Sequence, residues 1–208
     1  HSKQRTFALA LAGKAHAVIN HEAFALRSGD CVWMPANLTS AIVNTSELPF
    51  SVLLVESIED DDDFTPADVP ENPKLGTTAS PRIVAIGSLE PIEHAGLFVR
   101  PVGRALGVIG FEAEILDLGE DGAPLPYYTR TGSAQIFCVT SGNVTAFIEG
   151  VSRPLKRYSV YYAPPGEKRA LEAPPRGQTR VAVFTLKTAE VDETIRYAPD
   201  GSLLVTGS

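Results

Sequence analysis

The chain has 208 residues, with 18 basic against 25 acidic side chains and a formal net charge of −7. Hydrophobic residues make up 44% and charged residues 21%, which excludes a disordered chain. No apolar run reaches the ~18 residues of a membrane helix. No basic stripe offsets the acidic surface, so neither nucleic acid nor membrane is an expected partner.

Apolar segments along the chain are short, rich in Val, Ile, Phe and Tyr, and broken by turn residues. That pattern predicts an all-β sandwich or barrel. The first predicted strands are 6–11, 15–19, 22–26, 31–34, 40–44 and 50–56. No basic stretch leads into an apolar core at the start, so no signal peptide is read. Residues 59–82 follow, with Glu59, Asp60, Asp61, Asp62 and Asp63 in a row and then Pro66, Pro70, Pro73 and Pro81. The acidic run lacks EF-hand spacing, and the composition is that of a solvated linker. Strands at 83–86 and 97–99 are expected to join one of two barrels. A second set is predicted at 106–109, 112–118, 134–140, 144–148, 153–155, 159–163, 168–172 and 181–186. Residues 191–208 read as a tail. The resulting division is 1–58, linker 59–82, 83–190 and tail.

Cys31 and Cys138 lie in apolar runs of different halves and read as buried free thiols. Free thiols point to a reducing, cytoplasmic setting, whereas sequons at Asn37, Asn44 and Asn143 point to a secretory one. The sequence leaves both open.

The two halves repeat each other. Leu11-Ala12-Gly13-Lys14-Ala15-His16-Ala17-Val18-Ile19 matches Thr140-Ser141-Gly142-Asn143-Val144-Thr145-Ala146-Phe147-Ile148. Each is an apolar strand, a glycine turn and an alternating strand. Sixteen residues beyond each glycine stands another turn, at Gly29 and at Tyr158. Val32-Trp33-Met34-Pro35 and Tyr161-Tyr162-Ala163-Pro164 follow.

These motifs resemble the cupin superfamily. Its second motif runs Gly, five residues, Pro, one, Gly, two, His, three, Asn. Gly29, Pro35 and Asn44 match, while Asn37 stands for the second glycine and Ser40 for the histidine. In the second half Pro164 and Gly166 match. Tyr158 replaces the first glycine, Arg169 the histidine and Ala173 the asparagine. The first motif is matched by Gly122 and Gly142, with Tyr128 and Arg130 at its two histidines and Gln135 at its glutamate. A shifted register would put Thr129 and Thr131 at the histidine places instead. In the first half Thr6 takes the glutamate place and His1 the second histidine place. The first barrel therefore reads as lacking its opening strands. The resemblance implies two tandem jelly-roll (double-stranded β-helix) barrels.

It also implies a changed chemistry. A cupin metal site needs lone pairs from histidines and a carboxylate, and a guanidinium has none. No metal or other cofactor is expected. Arg130 and Arg169 are instead expected to converge on a carboxylate or enolate, with Tyr128 as general acid or base. Gln135, Tyr161, Tyr162, Thr129 and Thr131 are the expected ligand-binding residues. Tyr161 and Tyr162 are adjacent, so one should face in and one out. The expected function is metal-independent binding or transformation of a small anionic or oxygenated molecule, of isomerase, cyclase or lyase type. Two alternatives stay open. One is a structural or dimerising cupin, with a homodimer among the expected partners. The other is a metal-dependent dioxygenase or isomerase in a different register.

Overall fold

The structure, a computed structural model, describes residues 5–36, 38–57, 74–75, 83–94, 97–118, 127–174, 177–198 and 203–204. Among these the fold is β-strand throughout, apart from a 3-10 turn at Ile86–Ser88 and one short helix, α1, at Val102–Leu106. The chain forms two units, 1–89 with 104–108 and 90–103 with 109–208.

The first unit contains β1 (Arg5–Ala12), β2 (Lys14–Ile19), β3 (Glu22–Arg27), β4 (Asp30–Met34), β5 (Ser40–Asn44), β6 (Ser51–Ser57), β7 (Lys74–Leu75) and β8 (Ile83–Ala85). They form two four-stranded sheets, β6-β1-β4-β8 and β5-β2-β3-β7. Alternation sends every second side chain inward, and Ala8, Ala17, Ile19, Leu26, Val32 and Met34 meet in the core. The strand at 83 was expected to join one of the barrels, and the division at 83 assigned it to the second. It instead pairs antiparallel with β4, Val84 opposite Cys31, and Ile86 N–H donates to Gly29 O at 2.9 Å. The outer edge of β4 is thereby satisfied by a segment that sequence distance alone assigned elsewhere.

The second unit holds β9 (Ile92–His94), β10 (Leu97–Arg100), β11 (Glu112–Leu118), β12 (Tyr127–Arg130), β13 (Ser133–Ser141), β14 (Val144–Ile148), β15 (Val151–Leu155), β16 (Val160–Ala163), β17 (Arg169–Glu172), β18 (Thr179–Lys187), β19 (Thr194–Tyr197) and β20 (Leu203–Leu204). Its sheets run β16-β13-β18-β11-β10-β9 and β15-β14-β17-β12-β19-β20. The expected strand at 106–109 is the end of α1 and a turn, with Gly107 at φ 69°. Two segments of the expected tail, β19 and β20, belong to the second sheet: β19 pairs with β12, placing Thr194 opposite Arg130 and Arg196 opposite Tyr128.

The repeat is structural as well as sequential. The shift of 129 positions that carries Gly13 onto Gly142 also carries β1 to β6 onto β13 to β18. Both glycines have positive φ, 86° and 73°. A Cβ on Gly13 would meet Pro49 O at 2.7 Å, and one on Gly142 would meet Gln178 O at 2.7 Å. Positive φ and a close backbone approach together require glycine at both hairpins. The later turn differs. Gly29 has φ 89°, and Tyr158 adopts φ 69° at the equivalent place although it carries a side chain.

Candidate functional site

The interior of the second barrel is built from strand alternation. In β11, Leu116 and Leu118 face the core, as do Phe137 and Val139 of β13 and Val181 and Val183 of β18. The same faces continue to Glu112 and Glu114, to Ser133 and Gln135, and to Thr185 and Lys187. Register confirms the match: Thr185 lies opposite both Glu112 and Gln135, and Lys187 opposite Ser133. The opposite sheet contributes Tyr128 of β12 and Arg169 of β17, which are paired directly. One end of the barrel is therefore apolar and the other polar.

At the polar end Tyr128, Gln135 and Arg169 form one network. Gln135 Oε1 accepts from Tyr128 Oη at 2.9 Å, from Arg169 Nη2 at 2.7 Å and from Arg169 Nε at 3.2 Å. Gln135 Nε2 donates to Thr185 Oγ1 at 3.0 Å. Arg169 Nη1 donates to the backbone carbonyl of Glu167 at 2.8 Å. The Arg169 side chain is 1% exposed, with its guanidinium carbon 4.9 Å from the Tyr128 ring centre. Arg169 is thus a buried cation held by neutral acceptors and an aromatic face. Burial raises the Tyr128 phenol above its ordinary value and outweighs the opposing pull of Arg169.

Thr185, the partner of Gln135, also lines a cleft of about 430 Å³, together with Phe111, Glu112, Arg130, Ser133, Lys187 and Asp192 among others. Among the described residues, Arg130 does not share a side-chain hydrogen-bond partner with Arg169. It forms an ion pair with Asp192, with Nε 2.9 Å from Oδ2 and a second, shorter bond from Nη2. Asp192 also accepts from Gly132 N–H at 3.0 Å and from Ser133 Oγ. Burial alone would raise this carboxyl, but the bonds from Arg130, Ser133 and Gly132 outweigh it and hold it at about 2. The expected convergence of two arginines on one ligand is therefore corrected: β19 and the turn before it bring Asp192 onto Arg130.

The other expected ligand-binding residues divide by face. Tyr161 points inward, stacks on Phe137 with ring centres 5.7 Å apart, and donates its hydroxyl proton to the Glu167 carboxylate. Burial raises that carboxyl despite the lowering effect of Arg169. Tyr162 is 57% exposed on the outer face and does not reach the interior. Thr129 alternates with Tyr128 and so lies on the opposite face of β12. Thr131 Oγ1 accepts from Glu193 N–H at 2.9 Å in the turn beyond the strand. Neither threonine joins the network, because a one-residue shift of register reverses every side chain.

In the first barrel, Thr6 and Ser40 line a separate groove with Glu56, whose carboxylate accepts from Thr6 Oγ1 at 3.3 Å. His1 lies outside the described residues. Glu112, Glu114, Thr185, Lys187 and Asp192 were not anticipated. The alternation of Glu112, Glu114, Leu116 and Leu118 could have revealed the first two. Asp192 carried no signal, being 62 residues from Arg130 in sequence.

A metal of the kind cupins hold does not fit these residues. At the four positions that the resemblance assigns to metal ligands stand Tyr128 and Arg169, both bonded to the third residue, Gln135, and Arg130. A guanidinium remains protonated and offers no lone pair. Among the described residues, no group of three or more His, Cys, Asp or Glu could hold a metal ion.

No family model matches the sequence. No curated protein matches it either. Solved structures do. A vicilin from tomato (Solanum lycopersicum) superimposes with TM-score 0.68 at 13% identity, covering 94% of this chain and 72% of that one. Oxalate decarboxylase from Bacillus subtilis, a protein with Mn(II) centres, gives TM-score 0.63 at 16% identity, over 92% and 65%. A variant of salicylate 1,2-dioxygenase from Pseudoaminobacter salicylatoxidans gives 0.66 at 17% identity, over 93% and 68%. These likenesses show the fold: the chain has the two-barrel cupin (jelly-roll) architecture.

Proposed function

We propose that this cupin binds a small carboxylate- or enolate-bearing molecule without a metal, in the polar end of its second barrel. The observation that supports this is the bonding of Arg169. Its charge is buried, and its hydrogen-bond acceptors are an amide oxygen and a backbone carbonyl, both neutral. A buried cation whose hydrogen bonds, among the described residues, all go to neutral acceptors leaves positive potential in the barrel interior, linked to the cleft through Gln135 and Thr185, which favours an anion there. Lys187 at the rim and the hydroxyl of Thr185 would orient that anion. Thr185 Oγ1 accepts from Gln135, so its own proton is available to the cleft.

The geometry favours binding over turnover. Tyr128 directs its proton at Gln135, and burial strengthens its hold on that proton. Isomerase, cyclase or lyase chemistry would require Tyr128 to give up that contact when substrate enters.

The test is calorimetric titration with a panel of small mono- and dicarboxylates, alongside elemental analysis of untagged protein. A carboxylate should bind with stoichiometry near one and lose at least tenfold in affinity in Lys187→Ala. No binding by any carboxylate, or a stoichiometric transition metal, would overturn the reading.

A further inference from the structure

The cleft lined by Thr185 holds charges of two kinds. Arg130 and Asp192 in its wall are paired with each other. Glu112 and Lys187 line it as well, and both are exposed. Among the described residues neither forms a salt bridge or a side-chain hydrogen bond. They are near neighbours on one sheet. Glu112 of β11 lies opposite Thr185 of β18, and Lys187 stands two residues further along β18. Alternation puts all three side chains on the same face. A diagonal of this kind separates Cβ atoms by about 7 Å. Phe111 lies in the same wall, and so does Gly110, where a Cβ would meet nothing within 4 Å.

We propose that the ligand of this cleft is a zwitterionic α-amino acid, with its carboxylate on Lys187 and its ammonium group on Glu112. This rests on the carboxylate reading given above and narrows it. A plain carboxylate gains Lys187 but meets Glu112, a like charge, in the same cleft. That repulsion discriminates against it. An ammonium group on the carbon next to the carboxylate turns Glu112 from an opponent into a partner. Each end of the ligand then makes a charge-assisted hydrogen bond. Two side chains of opposite sign that stand on a diagonal without pairing are suited to a ligand that carries both charges close together. Thr185 lies next to both, and its hydroxyl proton adds a donor for the carboxylate. The open space beside Gly110 and the ring of Phe111 would receive the side chain of the amino acid.

Calorimetric titration with matched probes at neutral pH tests it: alanine against propanoate, and phenylalanine against hydrocinnamate and phenethylamine. In the unaltered chain each amino acid should bind at least tenfold tighter than the carboxylate that lacks its amino group. Phenethylamine, which lacks the carboxylate, should bind at least tenfold more weakly than phenylalanine. Glu112→Gln should weaken both amino acids at least tenfold and leave the plain carboxylates at their parent affinity or tighter, with an unchanged far-UV spectrum. A plain carboxylate that binds as tightly as its amino acid would overturn this proposal and leave the carboxylate reading standing. So would an equal loss for both members of a pair in Glu112→Gln. An amine that binds as tightly as phenylalanine would overturn both readings. No binding by either amino acid would overturn this one, and the wider carboxylate panel then decides the other.

Discussion

Arg169 Nη2 lies 2.7 Å from Gln135 Oε1, joining β17 of one sheet to β13 of the other across the barrel interior. The pair is interdependent. Gln135→Ala would leave the guanidinium buried without two of its three bonds, and should cost about 3–5 kcal/mol in urea unfolding. Gln135→Glu keeps an acceptor for Tyr128 and Arg169, and Thr185 can turn from acceptor to donor. It should stay within about 1 kcal/mol of the parent. Equal losses in the two variants would show that acceptance by this side chain is not what stabilises the barrel floor.

Asp192 gives the fold a defined response to acid. Its carboxyl sits at about 2 in the folded chain against an ordinary 3.8. A depressed value means that the folded state binds the proton less tightly than the unfolded one. The associated stability is present above pH ~4 and is lost as pH falls from there towards ~2. Asp192→Asn should lower stability at neutral pH by about 2 kcal/mol and flatten the profile between those limits. Thermal melts of both proteins from pH 2 to neutrality, at roughly one-unit steps, provide the comparison. Parallel curves would place the acid response in other carboxyls.

Tyr158 stands at φ 69°, where its counterpart in the first barrel is Gly29 at φ 89°. A left-handed conformation costs a side-chain-bearing residue about 1 kcal/mol or more. The Arg157 guanidinium, 4.6 Å from the Tyr158 ring centre, offsets part of that. Tyr158→Gly should therefore raise stability by about 0.5–1 kcal/mol, and Tyr158→Val should lower it by ~1–2 kcal/mol. A glycine variant less stable than the valine one would remove strain as the explanation.

The hairpin glycines should behave in the opposite way. At Gly142 an added Cβ would meet Gln178 O at 2.7 Å and Thr179 Oγ1 at 2.6 Å, on a backbone already at φ 73°. Gly142→Ala should cost upwards of ~2 kcal/mol. Gly29→Ala, with the same sign of φ but open space around it, should cost only ~1 kcal/mol. Chemical denaturation of the two single variants separates crowding from backbone strain.

Much of the fold was legible because it repeats. Gly13 and Gly142 mark equivalent hairpins, and the strands that follow each carry alternating apolar residues that only a half-buried sheet would use. The resemblance to the cupin motifs placed Tyr128, Arg130, Gln135 and Arg169 together; Tyr128, Gln135 and Arg169 meet, and Arg130 pairs with Asp192. Val84 beside Cys31 was not legible, nor was β19 beside β12. Segments 83–85 and 194–197 are short, and their pairing depends on an edge formed by residues far away in sequence.

The amino-acid order by itself determined the period-two pattern, the glycine turns and the presence of two guanidinium side chains, Arg130 and Arg169, that offer no lone pair. These are local properties, fixed by steric limits on the backbone and by the chemistry of single groups. Only the tertiary structure decided which partner each charge takes. Arg130 could face a ligand, solvent or an acid with equal ease in sequence. Asp192 claims it because β19 runs beside β12. Charge pairing acts through space over a few ångströms, and closeness in space is what the order of residues leaves unspecified.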